Sequence, residues 1–360
     1  MFSGWRGKIM KICFLAGADS VHSYKWVKFF AEKGHEIHWI SFTPNTQGEI
    51  PGVHFYKIDK PFPLGFFALN KIVRSIKPNI FHAHYAGKNG LLAALANFHP
   101  FILTAWGSDV LLAGKSKLKK PFVKYALKKA DLITCDAEHM KKAIIELGVE
   151  PEKIKIIYFG IDTKKFQPAK SYKLKAKSYE VISLRSLEPV YDVETLVRAA
   201  PLVLRQIPEA NFIIAGRGSE EEKLKKLASE LGVLRNMEFI GFVKQNDLPC
   251  LLQSADIYVS TSLSDAGIAA STAEAMACGL PVVITNTGEN ELWVKNGAGG
   301  FIVPVKTPKI LAEKIIELLK NPQTRRQFGE TNRKTIEEKN DYYTEMAKAE
   351  RSYYDLKTPF

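Results

Sequence analysis

One loop between two apolar runs carries the residue types best suited to bind an anion. Residues 255–259 are strand-like and lead into a small-residue loop with Asp265, which is followed by a small-residue helical stretch with Glu274. Backbone N–H groups at the start of a helix attract a phosphate, and the helix dipole favours its negative charge. Glu274 would lie about two turns further on, where its carboxylate can accept hydrogen bonds from hydroxyl groups. Phosphate beside a polyol is typical of a sugar nucleotide; a tight turn beside a well-packed helix is the alternative.

Two series of alternating strand and helix patterns must position this loop. Strand-like runs begin at residues 11, 36, 53, 80, 101, 132 and 154 in the first series, and at residues 180, 211, 237, 255 and 282 in the second. Strands that alternate with crossover helices imply parallel sheets covered on both faces. The sequence therefore predicts an α/β fold with two doubly wound sheets, whose ligands bind beyond the carboxyl ends of the strands.

The length of 360 residues exceeds what one hydrophobic core usually supports. We expect a first domain over residues 1–168 and a second over residues 178–340. The polar, basic stretch 167–178 is the predicted linker, with a surface loop closing the first domain as the alternative. A helix over residues 341–357 is expected to pack back onto the first domain.

Composition narrows the class of protein. With 46% hydrophobic and 25% charged residues, and no apolar run near the ~20 residues of a membrane-spanning helix, a globular cytoplasmic protein is expected. The first ten residues lack the apolar centre of a secretory signal. The four cysteines show no metal-ligand spacing and are expected to be reduced, buried thiols: Cys13, Cys135, Cys250 and Cys278.

Positive charge is concentrated in the first half. Residues 1–168 hold 25 Lys and Arg against 13 Asp and Glu, a net charge of +12, and the remainder has a net charge of +1. Seven lysines lie between Lys115 and Lys129, where the expected shared apolar face is Leu118, Phe122, Val123, Ala126 and Leu127. A basic amphipathic helix of this kind predicts peripheral contact with anionic lipid at the inner face of the cell membrane. An ordinary packed helix is the alternative, and no motif indicates nucleic acid.

Several motifs, in their order and spacing, resemble glycosyltransferase family 4 (group 1). In the second half they are Phe-Ile-Ile-Ala-Gly-Arg-Gly-Ser from Phe212, Phe-Ile-Gly-Phe-Val from Phe239 and Glu-Ala-Met-Ala-Cys-Gly-Leu-Pro-Val-Val from Glu274. In the first half they are Lys-Pro-Asn-Ile-Phe-His-Ala-His-Tyr from Lys77, Thr-Ala-Trp-Gly-Ser-Asp from Thr104 and Tyr-Phe-Gly-Ile-Asp from Tyr158. The resemblance implies a retaining, sugar-nucleotide-dependent enzyme of the glycosyltransferase B fold, with two Rossmann-like domains facing across a cleft.

The resemblance also implies roles for individual residues. Arg185 would pair with the diphosphate, Phe242 would flank the base, and Glu274 would hold ribose hydroxyls. Asp265 and Trp106 would lie by the transferred sugar, so that the implied catalytic residues are Asp265, Glu274 and Trp106. The implied binding residues are Gly17, Ala18, Arg185, Tyr191, Gly216, Arg217, Gly218, Phe242, Gly267, Ile268 and Glu274. Purely structural alternatives are a surface ion pair for Arg185, a core position for Phe242 and a helix cap for Asp109.

The sequence departs from the family pattern in three places. Eight residues separate Asp265 from Glu274, whereas the family usually has two glutamates with seven between them. Tyr191 stands where a lysine is common, and Trp106 stands where many members have histidine. These departures leave open the choice of donor and whether the chain is active.

No metal cofactor is expected. The two imidazoles of His82 and His84 would lie on one side of a strand, but no third ligand with suitable spacing is visible, and the chain has no Asp-x-Asp motif. Positive side chains and helix N-termini would stabilise the leaving diphosphate instead.

The predicted function is transfer of a sugar from a nucleotide-diphosphate donor to an acceptor hydroxyl, on a lipid-linked or cell-surface glycan precursor. Two alternatives remain at this point. One is a sugar-nucleotide 2-epimerase of the same fold, for which no set of carboxylates and histidine around the donor sugar is visible. The other is a non-catalytic subunit that binds sugar nucleotides, which the departures at Asp265, Tyr191 and Trp106 motivate.

Overall fold

The computed structural model describes residues 8–112, 116–169, 178–265 and 267–357. It divides the chain into two compact units, the first ending at Phe159 and resuming at Tyr343, and the second running from Gly160 to Tyr342. Residues 160–168, assigned above to the first domain, belong to the second unit. The reason is local pairing: Ile161 N–H donates to the carbonyl of Asn340, and Tyr342 N–H donates to the carbonyl of Ile161. Most of the predicted linker lies outside the described residues.

The first unit is built on a seven-stranded parallel sheet of order β3-β2-β1-β4-β5-β6-β7. Its strands are β1 (Lys11–Leu15), β2 (Glu36–Ser41), β3 (Val53–Lys57), β4 (Ile80–His84), β5 (Phe101–Thr104), β6 (Leu132–Cys135) and β7 (Ile154–Ile156). Its helices are α1 (Val21–Glu32), α2 (Leu64–Ile76), α3 (Lys88–Ala96), α4 (Ser108–Leu111), α5 (Lys120–Lys129) and α6 (Glu138–Glu146). Central strands such as β4 are buried along their whole length, because helices cover both faces.

The second unit has a six-stranded parallel sheet of order β10-β9-β8-β11-β12-β13. Its strands are β8 (Tyr179–Ser183), β9 (Ala210–Ala215), β10 (Met237–Gly241), β11 (Ile257–Ser260), β12 (Val282–Thr285) and β13 (Gly300–Val303). Its helices are α7 (Val193–Leu204), α8 (Glu221–Glu230), α9 (Leu248–Ser254), α10 (Ala270–Ala277), α11 (Asn290–Trp293), α12 (Pro308–Lys320) and α13 (Pro322–Lys339). The last helix, α14 (Tyr342–Lys357), belongs to the first unit from Tyr343 onward. Strand β13 and helices α9, α11 and α12 were not predicted from the sequence.

Each sheet reverses its strand order once, between β1 and β4 in the first unit and between β8 and β11 in the second. At such a point the two following loops diverge to opposite faces of the sheet and leave a crevice at the carboxyl ends of the strands. Arg185 follows β8 and Asp265 follows β11, so the two loops of the second crevice carry opposite charges. The fold thus places the predicted donor-binding residues where doubly wound sheets bind ligands.

Two further expectations concerned the cysteines and membrane-spanning helices. Cys13, Cys135 and Cys278 are buried free thiols, but Cys250 on α9 is exposed, contrary to expectation. In the described ranges no helix combines the length and apolar character needed to cross a membrane.

Helix α14 completes the core of the first unit. Its Tyr353 is fully buried, stacks on Phe30 with ring centroids 4.7 Å apart, and is hydrogen-bonded through its hydroxyl to Nδ1 of His82 on β4. Nε2 of His82 is hydrogen-bonded to Thr104 Oγ1 at 2.7 Å. Burial lowers the pKa of His82 well below its usual value, with a further contribution from His84, so the ring is neutral. The last helix is therefore fastened to the central strand by a buried polar chain.

We expect Tyr353→Phe to lower the free energy of unfolding of the first unit by about 1–3 kcal/mol, because it leaves a buried imidazole nitrogen without its partner. Urea denaturation followed by tryptophan fluorescence measures this change. Tyr354→Phe on the same helix is the matched control, since its hydroxyl donates to Lys8 O at an exposed position, and its effect should stay within about 0.5 kcal/mol. Equal effects of the two variants would contradict the importance of the buried chain.

Candidate active site

A buried ion pair lies at the crevice of the second sheet. Nη2 of Arg185 donates to Oδ1 of Asp265 at 2.6 Å, and the two side chains are only 9% and 8% exposed. Burial raises the pKa of Asp265, while the charge and hydrogen bond of Arg185 oppose that rise. Nε of Arg185 and Oδ2 of Asp265 are buried with no hydrogen-bond partner among the described residues. Among the described residues, the pair therefore leaves a buried donor atom and a buried acceptor atom without a hydrogen bond.

Tyr191 covers the guanidinium of Arg185. The central carbon of the guanidinium lies 4.3 Å from the centroid of the Tyr191 ring, a cation-π distance. The segment that carries the ring is held by hydrogen bonds to its backbone carbonyls. Thr261 Oγ1 donates to Tyr191 O at 3.2 Å, and Leu263 N–H donates to Val190 O at 2.8 Å. At the position where the family commonly has a lysine, this protein therefore places the aromatic ring of Tyr191 against Arg185.

Two glycines after β9 are required by packing against the loop that carries Arg185. A Cβ atom at Gly216 would lie 2.3 Å from the carbonyl oxygen of Arg185, and one at Gly218 would lie 2.2 Å from that of Leu187. These distances are far below any normal contact. The glycine pattern that resembles a nucleotide-binding motif therefore also fixes the backbone of Arg185.

A third glycine, Gly288, was not singled out from the sequence. It has a φ of +58°, and a Cβ atom there would lie 2.5 Å from the carbonyl oxygen of Asp265. Thr285 Oγ1 donates to Ser262 O at 2.6 Å and ties the same loop to the end of β12. Gly288 belongs to no motif, and its position three residues after a buried strand was the signal that could have pointed to it.

Glu274 lies on α10 and is 8% exposed. Gln245 Nε2–H donates to Glu274 Oε1 at 2.8 Å, a partner that the motif comparison did not reveal because it comes from the loop after β10. The first residue of α10 is Ala270, and Ala269 caps it without a side-chain hydrogen bond. In the loop that leads into α10, which was predicted to meet a phosphate, Ala266 lies outside the described residues.

The remaining residues of the predicted donor site differ in accessibility. Phe242 is 70% exposed, which excludes the core position considered as its alternative. Arg217 is exposed beside Gly241, while Gly267 is half-buried. Ile268 is only 5% exposed, so its side chain belongs to the core and only its backbone can meet a ligand.

In the first unit, Trp106 lies in an aromatic cluster after β5. Its ring stacks on His22 with centroids 4.9 Å apart and meets the buried Trp26 edge-on at 6.5 Å. Desolvation and the charge of Lys25 lower the pKa of His22, which favours a neutral imidazole. His22 was missed from the sequence, since an isolated histidine at the start of a helix carries no motif.

Asp109 fixes the loop of Trp106. Its carboxylate accepts hydrogen bonds from the backbone N–H groups of Ala86 at 2.6 Å and of Trp106 at 3.1 Å. The side chain therefore joins the loops after β4 and β5, a wider role than the helix cap considered above.

Gly17 and Ala18 follow β1, as predicted. Ala18 is fully buried, however, and its N–H donates to Ser41 Oγ and Thr43 Oγ1, both at 3.0 Å. It cannot donate to a ligand in this arrangement. Gly17 is half-buried.

The two strand histidines have protein partners. His82 is engaged as described above, and Nδ1 of His84 is hydrogen-bonded to Ser23 Oγ at 3.2 Å. Burial, with a smaller contribution from His22, lowers the pKa of His84 to about 3. Within the described ranges, no three His, Cys, Asp or Glu side chains come together as a metal site.

The lysine-rich segment forms a shorter helix than predicted. Lys115 lies outside the described residues, and α5 begins at Lys120. The expected single apolar face is divided: Val123, Ala126 and Leu127 are in the core, whereas Leu118 and Phe122 are 83% and 56% exposed. Leu127 therefore cannot insert into a membrane, because the core of the unit already buries it.

Family models match both units of this chain. The model described as glycosyl transferases group 1 covers residues 164–335, and the model described as glycosyl transferase 4-like covers residues 11–137. The chain is a group 1 glycosyltransferase. The two matches cover strands β1 to β6 of the first sheet and all six strands of the second.

Named relatives of this glycosyltransferase agree. It is 24% identical to N-acetyl-alpha-D-glucosaminyl L-malate synthase of Bacillus anthracis, over 94% of either chain. It is 28% identical to the UDP-Gal:alpha-D-GlcNAc-diphosphoundecaprenol alpha-1,3-galactosyltransferase of Escherichia coli, over 66% of this chain and 65% of that protein. Neither a 2-epimerase nor a non-catalytic subunit is favoured by these relatives.

A solved structure shares the fold of this glycosyltransferase. HepE of Anabaena, crystallised in complex with UDP, superposes with a TM-score of 0.83 at 20% identity, and the match covers 96% of this chain and 100% of that one. The prediction of an α/β fold with two Rossmann-like units is confirmed.

We expect the Arg185–Asp265 pair to show strong coupling in a double-mutant cycle. Arg185→Met and Asp265→Ala should each destabilise the second unit by about 3 kcal/mol, because each leaves a buried charge without its partner. The double variant should recover at least about 1 kcal/mol of their sum, measured by urea denaturation. The exposed i,i+4 pair Lys28–Glu32 is the control and should couple by less than about 0.5 kcal/mol. Additive effects at Arg185 and Asp265 would contradict the pairing.

Proposed function

We propose that this glycosyltransferase is a retaining hexosyltransferase. Its second unit binds a nucleotide-diphosphate sugar, and the sugar passes to a hydroxyl group of a lipid-linked or cell-surface glycan precursor. The observation that carries the proposal is the buried ion pair of Arg185 and Asp265 at the crevice of the second sheet.

Donor binding would use the uncommitted atoms of that pair. The Arg185 Nε–H group has no partner in the described part of the chain and can donate to a diphosphate oxygen, which a planar guanidinium suits well. The free Oδ2 of Asp265 can accept from a hydroxyl of the donor sugar. Arg185 can then neutralise charge that develops on the leaving diphosphate while Asp265 orients the sugar.

Other residues would hold the nucleotide. Glu274 offers its carboxylate to the ribose hydroxyls, with Gln245 orienting it. Phe242 and Arg217 are exposed and can flank the base, as the family resemblance implies. We assign no nucleophile or general base among the described residues of the site, and we propose that the donor phosphate takes the proton of the acceptor hydroxyl. We assign no resident metal to the reaction.

The acceptor side is proposed to lie in the first unit. Trp106 with His22 offers an aromatic surface of the kind that sugar rings pack against, and Gly17 lies in the loop after β1. The Escherichia coli relative acts, by its name, on a diphosphoundecaprenol-linked sugar. A lipid-linked acceptor would bring this protein to the inner face of the membrane, where the exposed Lys117, Lys119, Lys120 and Lys124 favour anionic lipid.

A thermal-shift screen against nucleotide sugars tests the proposal. UDP-glucose belongs in the panel because HepE has also been crystallised with it. A donor present at about 100 times its dissociation constant adds about 2.7 kcal/mol of stability. A panel in which no nucleotide sugar stabilises the protein would overturn the proposal.

With the best donor, Arg185→Ala and Glu274→Gln should each weaken binding by at least about 1 kcal/mol, since each removes a charge-assisted hydrogen bond. Isothermal calorimetry measures the affinity, and circular dichroism verifies that the variants are folded. Arg205→Ala and Glu238→Gln, at exposed positions of the same unit, are matched controls and should leave affinity unchanged. Wild-type affinity in the Arg185 and Glu274 variants would remove both residues from the donor site.

Asp265→Ala should lower kcat at least tenfold while nucleotide affinity stays equal or rises. Its proposed partner is the sugar in the transition state, and its loss also frees Arg185 for the diphosphate. Steady-state kinetics and UDP titration separate the two effects. A parallel loss of turnover and of UDP affinity would place Asp265 on the nucleotide, and no loss would make it a loop residue.

A further inference from the structure

An apolar cavity of about 780 Å³ lies in the first unit, between α2, α3 and α5. This volume is within the range of sites that enclose small organic ligands. Nearly all of its lining is hydrocarbon or aromatic ring, and its main contributors are Phe42, Phe66, Leu91, Leu95, Phe122 and Tyr125. We call it the apolar groove.

Apolar side chains of the groove are exposed to water, which is energetically unfavourable. Phe62, Leu95, Phe122 and Tyr125 line it and are 71%, 43%, 56% and 40% exposed. Contiguous exposed apolar surface of this kind marks a binding surface in globular proteins. Because so few polar groups face the groove, a ligand that fills it must itself be apolar.

Positive charge lies at the edge of the same groove. Lys60 and Lys88 are among its lining residues, and Nζ of Lys88 lies 4.4 Å from the centroid of the Phe42 ring. Among the described residues no carboxylate forms a salt bridge with either lysine. A ligand with a long hydrocarbon chain and an anionic group at one end would complement this arrangement.

A second cavity of about 450 Å³ adjoins the groove. The two share Lys88, Leu91 and Phe122, and the second also reaches Lys119, Ser108 and Asp109. Asp109 holds the backbone of Trp106, as described above. The apolar groove therefore lies next to a cavity that reaches Asp109, the residue that holds the loop proposed to approach the transferred sugar.

We propose that the apolar groove binds the hydrocarbon chain of the lipid-linked acceptor. The acceptor phosphate lies beside Lys60 and Lys88, and its head group extends through the second cavity toward Trp106. This inference rests on the proposed function, which it deepens by assigning the acceptor lipid to a site. The hydrocarbon chain of the acceptor lies in a groove of the protein, which differs from shallow insertion of a helix into a bilayer.

Farnesyl diphosphate is a suitable probe because it joins an apolar chain to an anion and dissolves as a monomer. We expect the wild-type protein to bind it at least tenfold more tightly than inorganic diphosphate in calorimetry, since each buried methylene adds roughly fourfold. Leu95→Glu and Phe122→Glu should each lower that affinity at least tenfold by placing a charge in the groove. Lys88→Gln should weaken it severalfold, and farnesol, which lacks the anion, should be insensitive to Lys88→Gln.

Leu234→Glu is the matched control, because Leu234 in the second unit is 44% exposed, close to the 43% of Leu95. It should retain wild-type affinity. Equal binding of farnesyl diphosphate and inorganic diphosphate would overturn the proposal, as would unchanged affinity in both groove variants. Loss of flotation with phospholipid vesicles in Leu95→Glu, with farnesyl diphosphate binding intact, would assign the groove to bilayer lipid and also overturn it.

The same preparations distinguish this proposal from the proposed function. If nucleotide sugars stabilise the wild-type protein but farnesyl diphosphate shows no groove-dependent binding, only the inference about the acceptor chain fails. If the groove binds farnesyl diphosphate but no nucleotide sugar binds, the proposed function fails while the groove stands.

Discussion

A guanidinium and a carboxylate removed from water must satisfy one another, and the crevice of the second unit is organised around that requirement. Arg185 and Asp265 come from different strands, so their contact fixes the separation of the loops after β8 and β11. The desolvation of two charges is offset by the short hydrogen bond and by the Tyr191 ring. A ligand that adds an anion and hydroxyl groups would improve this balance, since no described residue is hydrogen-bonded to Nε of Arg185 or Oδ2 of Asp265.

Backbone packing sets the precision of this pair. Gly216 lies against the carbonyl of Arg185, and Gly288 lies against the carbonyl of Asp265. The backbone of each charged residue is thus in close contact with a glycine from a neighbouring loop. A methyl group at either glycine would displace one partner of the ion pair, so the site tolerates little movement of these loops.

The sequence predicted the fold well because periodicity reports burial. Apolar runs such as 80–83 and 282–285 were placed on the strands where they occur, and the order of motifs indicated the family. Short helices such as α9 and α11 were missed, since four to seven residues carry too little periodicity to recognise.

Side-chain partners were beyond the reach of the sequence. Arg185 was expected to meet a phosphate, and its contact with Asp265 depends on two loops 80 residues apart that only the sheet order brings together. Gln245 beside Glu274 and His22 beside Trp106 have the same origin. The apolar face of the lysine-rich segment was misjudged because a helical projection does not show which apolar residues the neighbouring helices already cover.

The contact of Tyr353 with His82 has a consequence for biosynthesis. Strand β4 leaves the ribosome long before α14, and the second unit is translated between them. At about 5–20 residues per second, the roughly 270 residues that separate these two partners take some 14–54 s to make. During that interval the nascent first unit exposes the apolar surface that α14 will cover, while the second unit can already fold. Chaperone capture is therefore expected on the half of the protein that is synthesised first.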